Sequence, residues 1–445
     1  MSVVVRFAPS PTGYIHPGNA RPALLNWLFA RKQGGRFILR FDDTDTTRGT
    51  PEFADAIRQD LTWLGIDWDD SFNQSDRMAV YEEAAERLKA SGRLYPCFES
   101  EAELQAKRDY RVKRGQPPIY DRAMLKLTPE QRAKAEANGK TPYWRFRLSD
   151  RAIGWTDLVL GAREVKLTAV SDPVLIRADG TPLYTFCSVV DDLDVGVTHI
   201  IRGEDHITNT GVQLDILQAL GGNPTRMSFA HLPLLTGSDG GKLSKRTESI
   251  SLRSMRADGI EPLAIAAYLA HLGSSSDPAL MPMPELVADF NFTRFSKSSA
   301  RFDITQVLAL NRKLLQSMLF EQVSARLPPG ATEAFWLAVR SNLDLLSEAR
   351  GYWDVVAGSI VPPVIEGEAE FLRTALDLLP AEPWDPAIWT TWTDAIRAAT
   401  GRRGRTLFMP LRLALTGEEH GPELKALLPL MGRARAAQRL SVAAV

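Results

Sequence analysis

The 445-residue sequence predicts an α/β domain, interrupted by an inserted α+β stretch and followed by an all-α C-terminal domain. Three observations carry this prediction: a strand–turn–helix–strand unit at the N-terminus, further strand-like runs between residues 174 and 201, and helical periodicity after about Gly259. The length suits roughly three domains, each large enough to bury its own core.

Val3-Val4-Val5-Arg6-Phe7 is rich in β-branched residues and reads as the first strand, and Pro9-Ser10-Pro11-Thr12-Gly13 as a turn cluster. From Asn19 onward, Ala20, Leu24, Leu25, Trp27, Leu28 and Phe29 form a helical stripe that stops at Gly34-Gly35. Phe37–Phe41 is then a second strand, closed by Asp42-Asp43-Thr44-Asp45. A unit of this order opens a nucleotide-binding α/β domain. Val174–Arg177, Tyr184–Val190 and Thr198–Ile201 read as further strands, followed by a helix over Thr210–Leu220. The basic, Pro-interrupted stretch from about Cys97 to Val170 reads as an insertion between the two halves. Helices are predicted over Pro262–Leu272, Ile304–Phe320, Ala334–Val356, Ala369–Leu379, Ala387–Ala399 and Leu424–Leu440.

Composition bounds the function. With 53 Lys+Arg against 54 Asp+Glu, the net charge of −1 argues against a protein that coats nucleic acid nonspecifically. The charge is nevertheless uneven: Gln105–Arg151 holds 13 Lys/Arg against 5 Asp/Glu, and Ile396–Val445 holds 9 against 3. Two separated basic segments suit a polyanion gripped at two places; solvated helix faces balanced by nearby acids are the alternative. Two cysteines, Cys97 and Cys187, provide neither a disulfide framework nor a four-Cys zinc site, which fits a reducing cytoplasm. No apolar run approaches the roughly 18 residues of a membrane helix, and the N-terminus lacks the features of a signal peptide.

Chemistry enters at His16-Pro17-Gly18-Asn19, between the first strand and the first helix. Backbone N–H groups at a helix N-terminus attract phosphate, Gly18 permits close approach, and His16 can donate to a phosphate oxygen. A second signal is Lys242-Leu243-Ser244-Lys245-Arg246 after the glycine-rich Gly237–Gly241. Thr236 stands where a Walker motif needs glycine, and Leu243 stands where it needs Ser or Thr, so the P-loop reading fails. What remains is a glycine-rich loop with two lysines able to fold over a polyphosphate.

Together these motifs resemble class I aminoacyl-tRNA synthetases, and more closely the glutamyl-tRNA synthetases. The resemblance rests on Arg6–Gly13, Ala20–Trp27, Leu39–Asp45, Leu61–Asp67, Asp179–Tyr184, Val189–Asp192, Ile201–His206 and Phe408–Gly417, in order along nearly the whole chain. It implies a Rossmann-like catalytic domain in two halves (1–96 and 173–235) around an inserted acceptor-end-binding domain (97–172). A KMSKS-type loop and stem-contact region (236–303) and a helical anticodon-binding domain (304–445) would follow. The implied reaction joins L-glutamate to ATP as glutamyl-adenylate, then to the 3′-terminal adenosine of tRNA(Glu), with tRNA(Gln) a further candidate acceptor. The enzyme would be a cytoplasmic monomer.

The resemblance also implies roles. His16, Gly18, Asn19, Lys242 and Lys245 would serve catalysis by stabilising the phosphates, with Mg²⁺ on the ATP. Pro9, Asp205 and Ser244 would join them around ATP. Arg6, Ser10, Asp42, Tyr184 and Arg202 would hold glutamate, the arginines taking a carboxylate and Asp42 the ammonium. Arg402, Arg403, Arg405 and Arg412 would contact tRNA. Three features depart from the family pattern. Cys97 has no second thiol near it in sequence, so no structural zinc is expected. Asp42 replaces the usual glutamate, and His271–Asp277 lacks a tryptophan that commonly follows Leu-Gly. A shorter relative that glutamylates a tRNA base lacks the helical domain, and a glutaminyl-tRNA synthetase ends in β-barrels. The remaining alternative is a catalytically inactive or regulatory tRNA-binding protein on the same fold.

Overall fold

The protein is described from a computed structural model covering residues 2–45, 49–237, 250–385 and 387–444. Its chain forms two compact units, residues 1–255 with 265–303, and residues 256–264 with 304–445. No helix among the described residues is long and apolar enough to cross a membrane.

The first unit begins as the sequence predicts. The β-branched run forms β1 (Val4–Phe7), buried throughout, and the apolar stripe forms α1 (Pro17–Lys32). Pro17 at the first helical position needs no N–H partner there, and Arg31 and Lys32 suit the negative end of the helix dipole. β2 (Arg36–Phe41), α2 (Pro51–Trp63) and β3 (Asp70–Asn73) follow, and β1, β2 and β3 pair in parallel in that order. α3 (Met78–Ala90) leads to β4 (Leu94–Cys97) and then to α4 (Glu101–Lys113) and α5 (Pro129–Ala137). Both of the latter are closed by capping boxes, Ser100 with Glu103 and Thr128 with Gln131, and neither buries a residue. β5 (Tyr143–Phe146), β6 (Ala152–Asp157), β7 (Gly161–Lys166) and β8 (Val174–Ile176) complete the middle of the unit. β4, β5 and β8 make an antiparallel sheet.

The run Tyr184–Val190, expected as a strand, is instead the start of α6 (Tyr184–Asp194). Phe186 to Asp192 are all buried, so the local pattern could not separate a buried helix from a strand. β9 (His199–Gly203), α7 (Ile207–Ala219) and β10 (Ser228–Leu232) follow, and β9 and the β6–β7 hairpin flank β10 in one four-stranded sheet. Thr198 N–H donates to the Val4 carbonyl at 2.9 Å, which ties the start of β9 to β1. Gly211 lets α7 approach β7: a Cβ there would lie 2.6 Å from the Val165 Cβ. β11 (Leu235–Thr236), α8 (Leu252–Ala257), α9 (Pro262–His271), α10 (Met283–Asp289) and β12 (Ala300–Arg301) come next, with β11 and β12 paired.

The second unit is helical: α11 (Ile304–Ser317), α12 (Phe320–Val323), α13 (Glu333–Val339), α14 (Ala349–Ala357), α15 (Ala369–Asp377), α16 (Ile388–Thr400), α17 (Arg405–Thr416), α18 (Leu424–Met431) and α19 (Arg433–Ala443). Two expected helices are each divided. The stretch 334–356 breaks between α13 and α14, where the Glu348 carboxylate accepts from the N–H groups of Asp344 and Leu345. The stretch 424–440 breaks at Gly432, whose φ of 78° ends α18. Trp392, Leu407, Leu411 and Leu440 meet in one core with no exposed surface.

Candidate active site

Between the end of β1, the first turn of α1, and the ends of β9 and β10 lies a cavity of about 370 Å³. Its lining includes Arg6, His16, Gly18, Asn19, Tyr184, Arg202 and Asp205, which the sequence singled out, along with Gly203, His206, Leu234 and Leu235. His16 occupies the N-cap of α1, and its carbonyl accepts the N–H groups of Asn19 and Ala20 at 2.9 Å each. Burial holds its imidazole below the ordinary pKa, so it is neutral at physiological pH. Its Nδ1 is buried and has no hydrogen-bond partner among the described residues. Pro17 has no N–H, so Gly18 supplies the helix-end donor facing the cavity.

Arg21, one turn further on, anchors the helix. Its Nη1 donates to the Pro233 carbonyl at 3.0 Å and its Nη2 to the Leu272 carbonyl at 2.9 Å. Burial lowers its pKa to about 10, which still leaves it charged.

Behind the cavity lies a buried ion network. Arg6 Nε contacts Asp192 Oδ1 at 3.2 Å, and Arg40 Nη1 donates to the same oxygen at 2.9 Å. Arg40 Nε donates to Asp42 Oδ1 at 2.7 Å. Arg77 Nε donates to Asp191 Oδ1 at 2.8 Å, and Gln74 and Tyr81 also bond Asp191. Three guanidinium groups therefore meet three buried carboxylates. Burial pushes Asp42 up to about 6 against the pull of Arg40, so it remains a carboxylate at neutral pH.

Arg202 differs. It is only 6% exposed, yet no ion pair links it to a described carboxylate, and burial lowers its pKa. Its partners are neutral: Tyr184 Oη at 3.3 Å, Thr210 Oγ1 at 2.6 Å and Gln213 Oε1 at 2.7 Å. The Nε has no partner among the described residues. A buried cation facing a cavity in neutral company is a receptor for an anion.

Not every residue proposed for the site lines this cavity. Pro9, Ser10 and Asp42 lie outside its lining, although the Pro9 carbonyl accepts Asp42 N–H at 3.0 Å. Asp42 is engaged by Arg40, a partner the sequence did not indicate. Lys242, Ser244 and Lys245 lie outside the described residues. Thr210, Gln213 and His231 were missed; they are polar residues at fully or nearly fully buried positions, a signal visible only once the strands are assembled. His206, which ends the Ile201–His206 motif and to which the sequence assigns no role, also lines the cavity.

In the second unit the four arginines divide. Arg402 is paired with Glu368 and lies over the Phe371 ring, 4.2 Å from its centroid. Arg412 donates to the Pro422 carbonyl at 2.8 Å. Arg403 and Arg405 are exposed around the start of α17, as is Phe408, which stacks on Trp389. At Cys97, burial pushes the thiol up to about 12, and its neighbour Tyr120 donates to Glu99 at 2.7 Å.

A Rossmann-type unit with a His-Pro-Gly turn at a helix N-terminus is the catalytic architecture of the class I aminoacyl-tRNA synthetases. The family model for the catalytic domain of class I tRNA synthetases (E and Q) matches residues 2–309, and that of an anticodon binding domain matches residues 364–444. Glutamate–tRNA ligase 2 of Granulibacter bethesdensis is 64% identical over 441 residues, covering 99% of this chain and 98% of the relative. The protein of the same name from Gluconobacter oxydans is 61% identical over 436 residues, covering 98% of each. A crystal structure of a glutamate tRNA ligase from Elizabethkingia meningosepticum, in complex with its amino acid, is similar with a TM-score of 0.87 at 27% identity, covering 100% of this chain and 99% of that one. The chain belongs to the glutamyl-tRNA synthetase family.

Proposed function

We propose that the protein is a glutamate–tRNA ligase that activates L-glutamate with ATP and transfers it to the 3′-terminal adenosine of tRNA(Glu). The observation that carries this reading is Arg202, a buried guanidinium at the cavity wall without a described carboxylate partner. The side-chain carboxylate of glutamate completes it, and the amide of glutamine does not. Tyr184 adds a hydroxyl, and Arg6, though tied to Asp192, also faces the cavity.

Activation brings the α-carboxylate of glutamate against the α-phosphorus of ATP. No protein nucleophile is required; the residues align two anions and stabilise charge as pyrophosphate leaves. Neutral His16 donates a hydrogen bond from its ring, and the Gly18 N–H at the head of α1 adds another. Asn19 and Asp205 lie beside them on the nucleotide side, with Pro9 in the preceding turn, while Ser10 of that turn serves glutamate. Mg²⁺ enters on the triphosphate as part of the substrate. Lys242, Ser244 and Lys245 complete the phosphate contacts in this reading. Asp42, restrained by Arg40, reaches the substrate ammonium through water.

The stretch 97–172 serves the acceptor end of the tRNA, and the unit carrying α11 to α19 serves the anticodon. There Arg403 and Arg405 make the RNA contacts, while Arg402 and Arg412 hold the surface that presents them. The enzyme works as a cytoplasmic monomer without structural zinc, and tRNA(Gln) is a second acceptor to be tested. An inactive tRNA-binding role is disfavoured because His16, Gly18, Tyr184 and Arg202 converge on one cavity.

Glutamate-dependent ATP–pyrophosphate exchange with tRNA present tests the reading. Arg202→Ala loses it; unchanged exchange removes Arg202 from the site. Lys245→Ala slows adenylate formation far more than it weakens tRNA binding, and equal losses would remove its phosphate role. Charging assays with purified tRNA(Glu) and tRNA(Gln) settle acceptor choice.

A further inference from the structure

Arg202 is aimed by a chain of buried groups that do not touch the cavity. The Asp157 carboxylate, fully buried, accepts the backbone N–H groups of Val159, Leu160 and His231 at 3.0, 3.0 and 3.1 Å. It also meets His231 Nδ1 at 2.6 Å. An ionised carboxylate only accepts, so Nδ1 carries a proton. Burial holds His231 below its ordinary pKa, so Nε2 is an acceptor at neutral pH. That nitrogen lies 2.9 Å from Thr210 Oγ1, and the His206 carbonyl lies 3.2 Å from the same hydroxyl; both only accept, so together they take its single hydrogen.

The committed hydroxyl has one remaining capacity, acceptance, and Arg202 Nη2 donates into it at 2.6 Å. The second hydrogen of Nη2 goes to Gln213 Oε1 at 2.7 Å, and that amide is oriented in turn by Nε2 donating to Ser188 at 2.8 Å. With one hydrogen of Nη1 on Tyr184, the guanidinium keeps two of its five donors, Nε–H and one on Nη1.

We propose that Asp157, His231 and Thr210 are positioning residues for glutamate recognition: the Thr210 hydrogen is drawn away from Arg202, so its oxygen meets the guanidinium only as an acceptor and locks it in its receptive orientation. This rests on the assignment of Arg202 to the substrate carboxylate. Burial alone gives no orientation, because a guanidinium in neutral surroundings can rotate toward whichever acceptor is nearest. The relay removes that freedom before substrate arrives, which lowers the ordering cost of binding.

The test is steady-state charging with three variants. Thr210→Val keeps the shape and removes the hydroxyl. It raises KM for glutamate about 10- to 100-fold, the worth of one hydrogen bond to a charged group. KM for ATP, and kcat at saturating glutamate, stay within about 3-fold, because the relay touches neither ATP nor the reacting carboxylate. Thr210→Ser restores KM for glutamate. A Thr210→Val enzyme with wild-type KM for glutamate, or equal losses toward ATP, overturns the proposal. Arg202→Lys separates the two layers: if it leaves KM for glutamate unchanged, the Arg202 assignment itself falls, and the relay with it. If Arg202→Lys raises KM and Thr210→Val does not, only the relay falls. Should Thr210→Val not fold, ¹⁵N-histidine NMR of the wild-type protein decides. We expect an Nδ1–H imidazole whose Nε2 resonance moves when glutamate is added; its absence overturns the proposal.

Discussion

Arg202→Met separates a binding role from a structural one. In the folded protein Arg202 makes three hydrogen bonds to neutral groups, to Tyr184, Thr210 and Gln213, and no ion pair among the described residues. Losing them costs about 1–2 kcal/mol each. Against this, the substitution removes a buried cation whose desolvation costs several kcal/mol. The two nearly cancel, so stability stays within about 2 kcal/mol. At about 2 cal/mol/K per residue, the roughly 300-residue catalytic unit loses about 0.6 kcal/mol per degree near Tm, so Tm moves by less than about 4 °C. Activity behaves differently. The substrate carboxylate loses a desolvated partner worth roughly 3–4 kcal/mol, which lowers kcat/KM for glutamate about 100- to 1000-fold. Differential scanning fluorimetry and tRNA charging measure the two effects on the same sample. A fall in Tm of 10 °C or so, with activity lost in proportion to folded protein, would refute the reasoning by showing that Arg202 is a structural charge.

Asp192→Asn gives the contrasting result: it takes the shared partner from both Arg6 and Arg40, costs about 3–5 kcal/mol and lowers Tm by about 5–8 °C. Gln213→Glu supplies Arg202 with an internal carboxylate 2.7 Å away; Tm holds or rises while KM for glutamate increases at least about 100-fold, read by the same two assays. Asp42, with a folded pKa of about 6 against an ordinary 3.8, destabilises the fold once it ionises. Its penalty is absent below about pH 4, grows between about pH 4 and 6 and levels off above, so from pH 7.5 to pH 5 the wild type gains about 1 kcal/mol relative to Asp42→Asn in matched thermal melts. In the helical unit, Arg402→Met lowers Tm through the lost Glu368 and Phe371 contacts. Arg403→Ala and Arg405→Ala instead leave Tm unchanged and each reduce the salt slope of tRNA binding by about 1.

The parts of this structure legible in the sequence are those whose signals are local. β1, the turn and α1 follow from a β-branched run, a proline-rich turn and an apolar stripe, each readable without knowing what packs against it. Helix α6 failed that test. Its Tyr-Thr-Phe-Cys-Ser-Val-Val opening suits a strand, and nothing local announces that Asp191 and Asp192 are buried against arginines from three distant segments. The same limit applies to the site. Arg202 stood out through its motif, but Thr210 and Gln213 are ordinary polar residues on a helix until β10 brings His231 to within 2.9 Å of Thr210. The break at Gly432 has a local signal in the glycine itself, yet the expected helix over Leu424–Leu440 runs through it; the one between α13 and α14 depends on Glu348 capping backbone groups.

On the proposed assignment, charge accounting explains why Arg202, rather than Arg6, Arg40 or Arg77, would bear the specificity. Arg6, Arg40 and Arg77 each face at least one buried carboxylate, so the layer behind the cavity is close to neutral. A glutamate arriving there would compete with a fixed aspartate and gain little. At Arg202 the competing groups are a hydroxyl, an amide and a phenol, all neutral. The free energy withheld by leaving that cation unpaired is available only to an anionic side chain. Glutamine would desolvate the same guanidinium and leave its charge uncompensated. In this reading, discrimination between two nearly isosteric amino acids needs no clash against glutamine, only a carboxylate that no described residue supplies at this position.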